Sequence, residues 1–312
     1  MHIALYFHGR LPVRGYGGTQ RVIVWLARGL AELGHQVSLL ASEGSRVREA
    51  NLISLDPGEV HQPDFDLTPF LPPSLDILHA HAPLRRAPTF PHLFTLHGNL
   101  PVGSPASPNT IYLSADHARR HGGTAFVYNG IDPAESLFTS TKSGYDLFLG
   151  RLHRVKGYRW AMAGARRSGH RLVVAGGWRP SLRRNLKFIG SVDGARKAEL
   201  LAGAACLWMP ALWDEPFGLT LIEAMMSGTP VLGTRRGSLP EIVSDEVGAL
   251  GDTLDELVEL RQSVERCRAD ACRARAERWF SHTVMAGEYV RMYQHYLGTS
   301  GLPAGRSITA RQ

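Results

Sequence analysis

Two glutamates separated by seven residues, Glu215 and Glu223, have the types and spacing to accept hydrogen bonds from hydroxyl groups on either side of an anion. Pro216 keeps Glu215 in extended backbone, because the residue before a proline is pushed out of the helical region. The run Leu219-Thr220-Leu221-Ile222-Glu223-Ala224-Met225-Met226 has helical period and stops at Ser227-Gly228, a common helix end. The first carboxylate therefore lies in a loop and the second just over one turn into a helix. Free amides and the positive dipole end at residues 218–220 suit a phosphate or sugar oxygen. A nucleoside diphosphate sugar has this layout, with hydroxyls at both ends and charge in the middle. Acids at a helix start are more often simply solvated and favoured by the dipole, so the other residues must decide.

Gly150-Arg151 and Lys156-Gly157 follow an apolar run at 145–149. Arginine in fork geometry and lysine as a point charge can grip a diphosphate and stabilise charge on a leaving nucleotide; unaided, they read equally well as surface loop cations. Gly17-Gly18 precedes a helical segment and permits close approach to a phosphate. It is neither the dinucleotide-binding glycine fingerprint nor a P-loop, and taken alone is an ordinary turn. His81 and His97 end strand-like segments, where histidine is usually structural, although a neutral imidazole can donate to a sugar hydroxyl and orient the reacting carbon. Asp64-Phe65-Asp66 has the spacing of a metal–nucleotide motif but lies in a proline-rich loop between Pro63 and Pro69. With no metal-ligand cluster elsewhere, no metal and no cofactor are expected.

Strand-like runs alternate with helical segments throughout, the pattern of α/β domains with parallel sheets. The 312 residues, 44% hydrophobic and 20% charged, describe a globular protein with material for one long or two ordinary domains. No apolar run approaches a membrane span, and the first residues read as a strand and not as a signal peptide. Three cysteines are too few for a disulfide framework, which points to a reduced, cytoplasmic setting. The net charge of +7 is unevenly placed: residues 1–139 hold 10 Lys+Arg and 11 Asp+Glu, and the remainder 25 and 17. That basic half suits an anionic ligand, a nucleic acid or an acidic membrane surface. Part of it, Arg261 to Arg278 with interleaved acids, reads as a solvated helix face. No nucleic-acid motif is present, and no nucleic-acid partner is expected.

From EPFGLTLIEAM through Gly228-Thr229-Pro230-Val231 to Gly237-Ser238-Leu239-Pro240-Glu241, the chain resembles glycosyltransferase family 4, retaining enzymes of GT-B fold with two glutamates seven residues apart. Gly17-Gly18 before a helix, Thr95-Leu96-His97-Gly98, the Gly150-Arg151 and Lys156-Gly157 pairs, and Gly190-Ser191-Val192 extend the resemblance over nearly the whole chain. It implies two Rossmann-like domains facing each other across a cleft: 1–138 on the acceptor side and 139–281 binding the nucleotide sugar. A helix at about 282–298 would return to the first domain; the run 299–312 reads, by its own small and polar residues, as a disordered tail.

The resemblance assigns Glu215 to donor sugar hydroxyls, Glu223 to the ribose, and Arg151 and Lys156 to the diphosphate. Backbone amides of Phe217, Gly218 and Leu219 would meet sugar and phosphate oxygens, Gly17 and Gly18 the donor phosphate, and Gly190 and Val192 the nucleobase edge. His97 would face the donor sugar; His81 is a weaker match. The expected reaction transfers a sugar from a nucleoside diphosphate sugar, UDP before GDP, to an acceptor hydroxyl with retention and without metal. The acceptor could be a carbohydrate, a glycolipid or a secondary metabolite, with peripheral contact at the inner face of a membrane if it is lipid-linked. Same-fold alternatives are an epimerase or phosphorylase-like enzyme, and a different class is a non-catalytic nucleotide-sugar binder. A nicotinamide oxidoreductase lacks its glycine fingerprint in either half. The first domain is more compact than is usual in the family, and this bears on the acceptor.

Overall fold

The computed structural model describes residues 1–13, 15, 17–101 and 103–308. It divides into two units, Met1–Gly130 with His282–Gln312, and Ile131–Ser281, so the chain passes between them at 130–131 and at 281–282.

The first unit contains β1 (His2–Tyr6), α1 (Gly18–Glu32), β2 (Gln36–Ser42), β3 (Asn51–Leu55), β4 (Ile77–Ala80), β5 (His92–Thr95), β6 (Thr110–Ile111) and α2 (Ala115–Arg120). Its six strands are parallel in the order β3-β2-β1-β4-β5-β6. Every residue of β1 is buried, as a parallel strand covered on both faces requires. β3, an edge strand, buries only Leu55.

The second unit contains β7 (Asp146–Leu149), α3 (Tyr158–Ser168), β8 (Leu172–Ala175), β9 (Leu186–Phe188), α4 (Gly194–Gly203), β10 (Cys206–Met209), α5 (Leu219–Met226), β11 (Val231–Thr234), α6 (Leu239–Ile242), β12 (Gly248–Gly251), α7 (Leu254–Leu260) and α8 (Ala269–Phe280). Its sheet runs β12-β11-β10-β7-β8-β9. Both sheets thus have the doubly wound order, in which a crevice opens beyond the strand C-termini where the order reverses. That place lies between β1 and β4 in the first unit and between β7 and β10 in the second. The last helix, α9 (His282–Thr299), belongs to the first unit, where His282 Nε2 lies 2.8 Å from Glu32 at the end of α1.

Two expectations are corrected. The span Arg261–Arg278 is not one solvated helix: a 3-10 turn separates α7 from α8, and Arg261 is only 1% exposed. Its guanidinium donates to both Asp146 oxygens at 2.7 and 2.8 Å, and the Trp208 indole N–H donates to Asp146 at 2.8 Å. Arg273 and Arg275 donate to the carbonyls of Met226 and Ile242. Interleaved charges look solvated in sequence when their real partners lie far along the chain. The second correction concerns the expected disordered tail. Gly305 N–H donates to Thr124 O at 2.9 Å, Arg306 pairs with Glu288 and Ile308 is buried, so 299–308 lies packed on the first unit. Residues 309–312 lie outside the described residues.

Removing one partner of a buried ion pair leaves the other charge uncompensated, at a cost of about 3–5 kcal/mol. Asp146→Ala should lower the unfolding free energy of the second unit by that amount in urea titrations. A change below about 1 kcal/mol would mean the pair is not buried as described.

Candidate active site

In the second unit, the segments leaving β7 and β10 converge where the strand order reverses. After β7, a 3-10 turn (Arg154–Lys156) ends at Gly157, whose φ is 72°. A Cβ at Gly157 would overlap the Pro210 carbonyl, so only glycine lets this turn lie against the loop leaving β10. Leu212 N–H donates to Val155 O at 2.7 Å and closes that contact.

The result is a three-part cluster. Lys156 Nζ lies 2.6 Å from Glu215 Oε2, the Trp213 indole N–H donates to the same oxygen at 2.8 Å, and the ammonium sits 4.7 Å from the Trp213 ring centre. Glu215 is held from behind as well. Gly237, with φ 59°, packs directly on the Glu215 backbone, and Ser238 N–H donates to Glu215 O at 3.0 Å. Ser238 Oγ donates to Phe217 O at 2.7 Å. The carboxylate is buried, with the Lys156 ammonium and the Trp213 indole on one of its oxygens.

Gly218, with φ 86°, is the N-cap of α5, and Leu219 is its first residue. The Phe217 ring is buried edge-on against Phe280 at 5.9 Å, so its side chain belongs to the core. Glu223, buried one turn further on, is held by Lys197 of α4, Nζ to Oε1 2.7 Å. Gly190 follows β9 with φ 77°, its carbonyl accepting from Gly176 N–H at 2.7 Å, and Val192 beside it is half-buried. Arg151, just past β7, is exposed. Sequence reasoning missed Lys197 and Trp213. The only advance signal was their position, Lys197 on the helix after the Gly190 loop and Trp213 two residues before Glu215.

In the first unit, Gly17 caps α1 and Gly18 begins it, at the C-terminal end of β1. Arg14 and Tyr16 of the same glycine-rich turn lie outside the described residues. His81 and His97 leave the adjacent strands β4 and β5 and meet, Nδ1 to Nε2, at 2.9 Å. Behind them His79 is buried between Tyr293 OH and Thr95 Oγ1, both at 2.7 Å. Burial lowers His97 to about 4 and, with the neighbouring His97 charge, His79 to about 3; His81 is also pushed well below the ordinary value, first by burial and then by both neighbours. All three are neutral at pH 7, and the His81–His97 contact is a hydrogen bond between neutral rings. Asp66, of the Asp-x-Asp sequence, accepts from Thr68 N–H and lies 3.9 Å from Arg86.

A buried carboxylate with a cation against it, beside a glycine-capped helix, stands at the reversal point of a doubly wound sheet, where open α/β sheets bind ligands and a helix N-terminus suits an anion. The family described as "Glycosyl transferases group 1" matches residues 145–270. The crystal structure of AviGT4, a glycosyltransferase involved in avilamycin A biosynthesis, is 31% identical, covers 97% of this chain and 99% of its own, and superposes with a TM-score of 0.80. The chain belongs to the group 1 glycosyl transferases, family 4-like, and its fold is GT-B. The phosphatidyl-myo-inositol mannosyltransferase of Mycobacterium leprae is 37% identical over 125 residues, 38% of this chain. The chain covers about a third of the length of that curated relative. Anabaena Alr3699/HepE in complex with UDP and glucose shares the fold, at 16% identity and a TM-score of 0.67 over 94% of this chain and 99% of its own.

The buried His79 and half-buried His97 make stability depend on pH. Unfolded, each titrates near 6.5; folded, His97 and His79 take a proton only near 4 and 3. Their contribution is intact above pH 6.5 and is lost as pH falls towards those values, by about 1.4 kcal/mol per pH unit for each histidine. Urea midpoints at pH 7, 6 and 5 should fall more steeply for wild type than for His97→Gln; parallel slopes would show that His97 is not held neutral.

Proposed function

We propose that this chain transfers a glycosyl group from a nucleoside diphosphate sugar to an acceptor hydroxyl with retention of anomeric configuration and without a metal ion. The observation that carries the reading is the Lys156–Glu215–Trp213 cluster at the reversal point of the second sheet. Lys156 is 15% exposed in its side chain, enough to reach a diphosphate while it orients Glu215.

In this reading Lys156 and Arg151 hold the diphosphate, and the amides of Phe217, Gly218 and Leu219 meet sugar and phosphate oxygens. Glu215 accepts from donor sugar hydroxyls. Glu223, aligned by Lys197, accepts from the ribose, and Gly190 and Val192 border the base. In the first unit, Gly17 and Gly18 are assigned to donor phosphate. Neutral His97, oriented by its bond to His81, is assigned to a sugar hydroxyl. The bond from the anomeric carbon to phosphate breaks as the bond to the acceptor oxygen forms on the same face, and the departing phosphate oxygen takes the acceptor proton. The two cations act by stabilising charge on that phosphate. This fits the family better than a two-carboxylate hydrolysis, which needs a nucleophile and an acid at the anomeric centre.

UDP is the first donor nucleotide to test, with GDP next. The Mycobacterium leprae relative is a phosphatidyl-myo-inositol mannosyltransferase and AviGT4 is involved in avilamycin A biosynthesis, which supports a glycolipid or secondary-metabolite acceptor. A lipid acceptor would bring the chain to a membrane surface peripherally from the cytoplasmic side; among the described residues no helix is long and apolar enough to cross one.

Calorimetric titration with UDP, GDP, ADP and dTDP, each with and without EDTA, tests the reading. One nucleotide should bind far better than the others, without response to EDTA. Lys156→Ala should weaken it about 10–100-fold, the worth of a hydrogen bond to a charged group. Absence of binding by all four would sink the proposal, and loss of binding in EDTA would overturn its metal-free part.

A further inference from the structure

The positive charge of the second unit is concentrated in one run. From Leu147 to Val192 the chain carries 11 Lys and Arg and not one Asp or Glu. Arg151 and Lys156 belong to the candidate donor site; most of the others lie on α3 and in the loop from Gly176 to Asn185 that joins β8 to β9. Of these, Arg167 is neutralised by Asp255 at 2.5 Å.

The same loop displays Trp178, 70% exposed, and Leu182, fully exposed, the two most exposed large apolar side chains among the described residues. Pro180 between them stiffens the loop. Arg159, Arg166 and Arg183 line a shallow depression with Met162 and Leu186. Arg179 lies 5.2 Å from the Tyr158 ring centre, which sets it on the α3 side of the loop. Tryptophan and leucine standing in water amid exposed arginines have the composition of a surface that enters a bilayer interface: the indole at headgroup level, the aliphatic chain below it and guanidinium groups on lipid phosphates.

We propose that the Gly176–Asn185 loop and the arginine-bearing face of α3 dock on an anionic lipid bilayer, with Trp178 and Leu182 entering it and Arg159, Arg166, Arg183 and Arg184 against its phosphates. The contact deepens the lipid-acceptor side of the proposed function and rests on that reading for its purpose, but the binding itself is independent of glycosyl transfer. A nucleic acid explains the arginines and leaves Leu182 without a role, since single-strand binding relies on rows of aromatic rings and Trp178 stands alone.

Flotation of the full chain with vesicles of phosphatidylcholine, alone or mixed with phosphatidylglycerol, tests the surface. Binding is expected to the mixed vesicles only, weakening as salt is added. Trp178→Ala with Leu182→Ser should abolish flotation. Arg183→Ser with Arg184→Ser should weaken it about 25-fold, at roughly fivefold per arginine. Both double variants should keep wild-type nucleotide affinity and melting temperature, which separates loss of docking from failure of the transferase reading. Wild type that binds nucleotide but not mixed vesicles, or variants that float as wild type does, would overturn the proposal. Tighter binding to a single-stranded oligonucleotide than to the vesicles would replace it with a nucleic-acid surface.

Discussion

The second unit depends on one buried ion pair. Asp146 opens β7, Trp208 lies on β10 and Arg261 follows α7, and these three side chains join through Asp146. The two strands so braced, β7 and β10, are neighbours in the sheet and flank the point where its order reverses. Their C-terminal ends carry Lys156 and Glu215. A charge pair sealed from water thus ties the start of β7 to β10 and to the end of α7, beneath the loops that carry the second charge pair. Such a pair is expensive to desolvate, and its worth here lies in alignment more than in net stability.

The site itself is assembled by close backbone approach. Gly157 lets the turn after β7 touch the loop after β10, and Gly237 lets the loop after β11 support Glu215. The three loops come from strands adjacent in space, so main-chain contacts place the Glu215 backbone while the Trp213 indole and the Lys156 ammonium hold its carboxylate oxygen.

Features that depend on neighbours in sequence were legible. The apolar runs of both sheets, the helix after Gly218 and the Glu215/Glu223 spacing follow from local period and backbone rules. Lys197 was not legible, since its partner Glu223 lies 26 residues away. Nor was Arg261, whose partner lies 115 residues away and whose local acids suggested a solvated helix. The edge strand β3 escaped notice because four of its five residues are not buried and show no apolar alternation. The segment after α9 looked like a tail by composition, yet a backbone bond to Thr124, the Arg306–Glu288 pair and the burial of Ile308 hold it in place.

The two passages of the chain between units carry a consequence for synthesis. The first unit is interrupted by the whole of 131–281 and completed only by α9, whose Tyr289 and Tyr293 supply hydroxyls to Thr95 and His79. A ribosome adding about 5–20 residues per second leaves on the order of 10 s between emergence of the first sheet and arrival of the helix that covers it. The second unit is contiguous and can fold in that interval. During it the nascent first sheet holds His79 without the Tyr293 hydroxyl and leaves the side that α9 covers open to solvent, so the half of the molecule made first is the last to be finished.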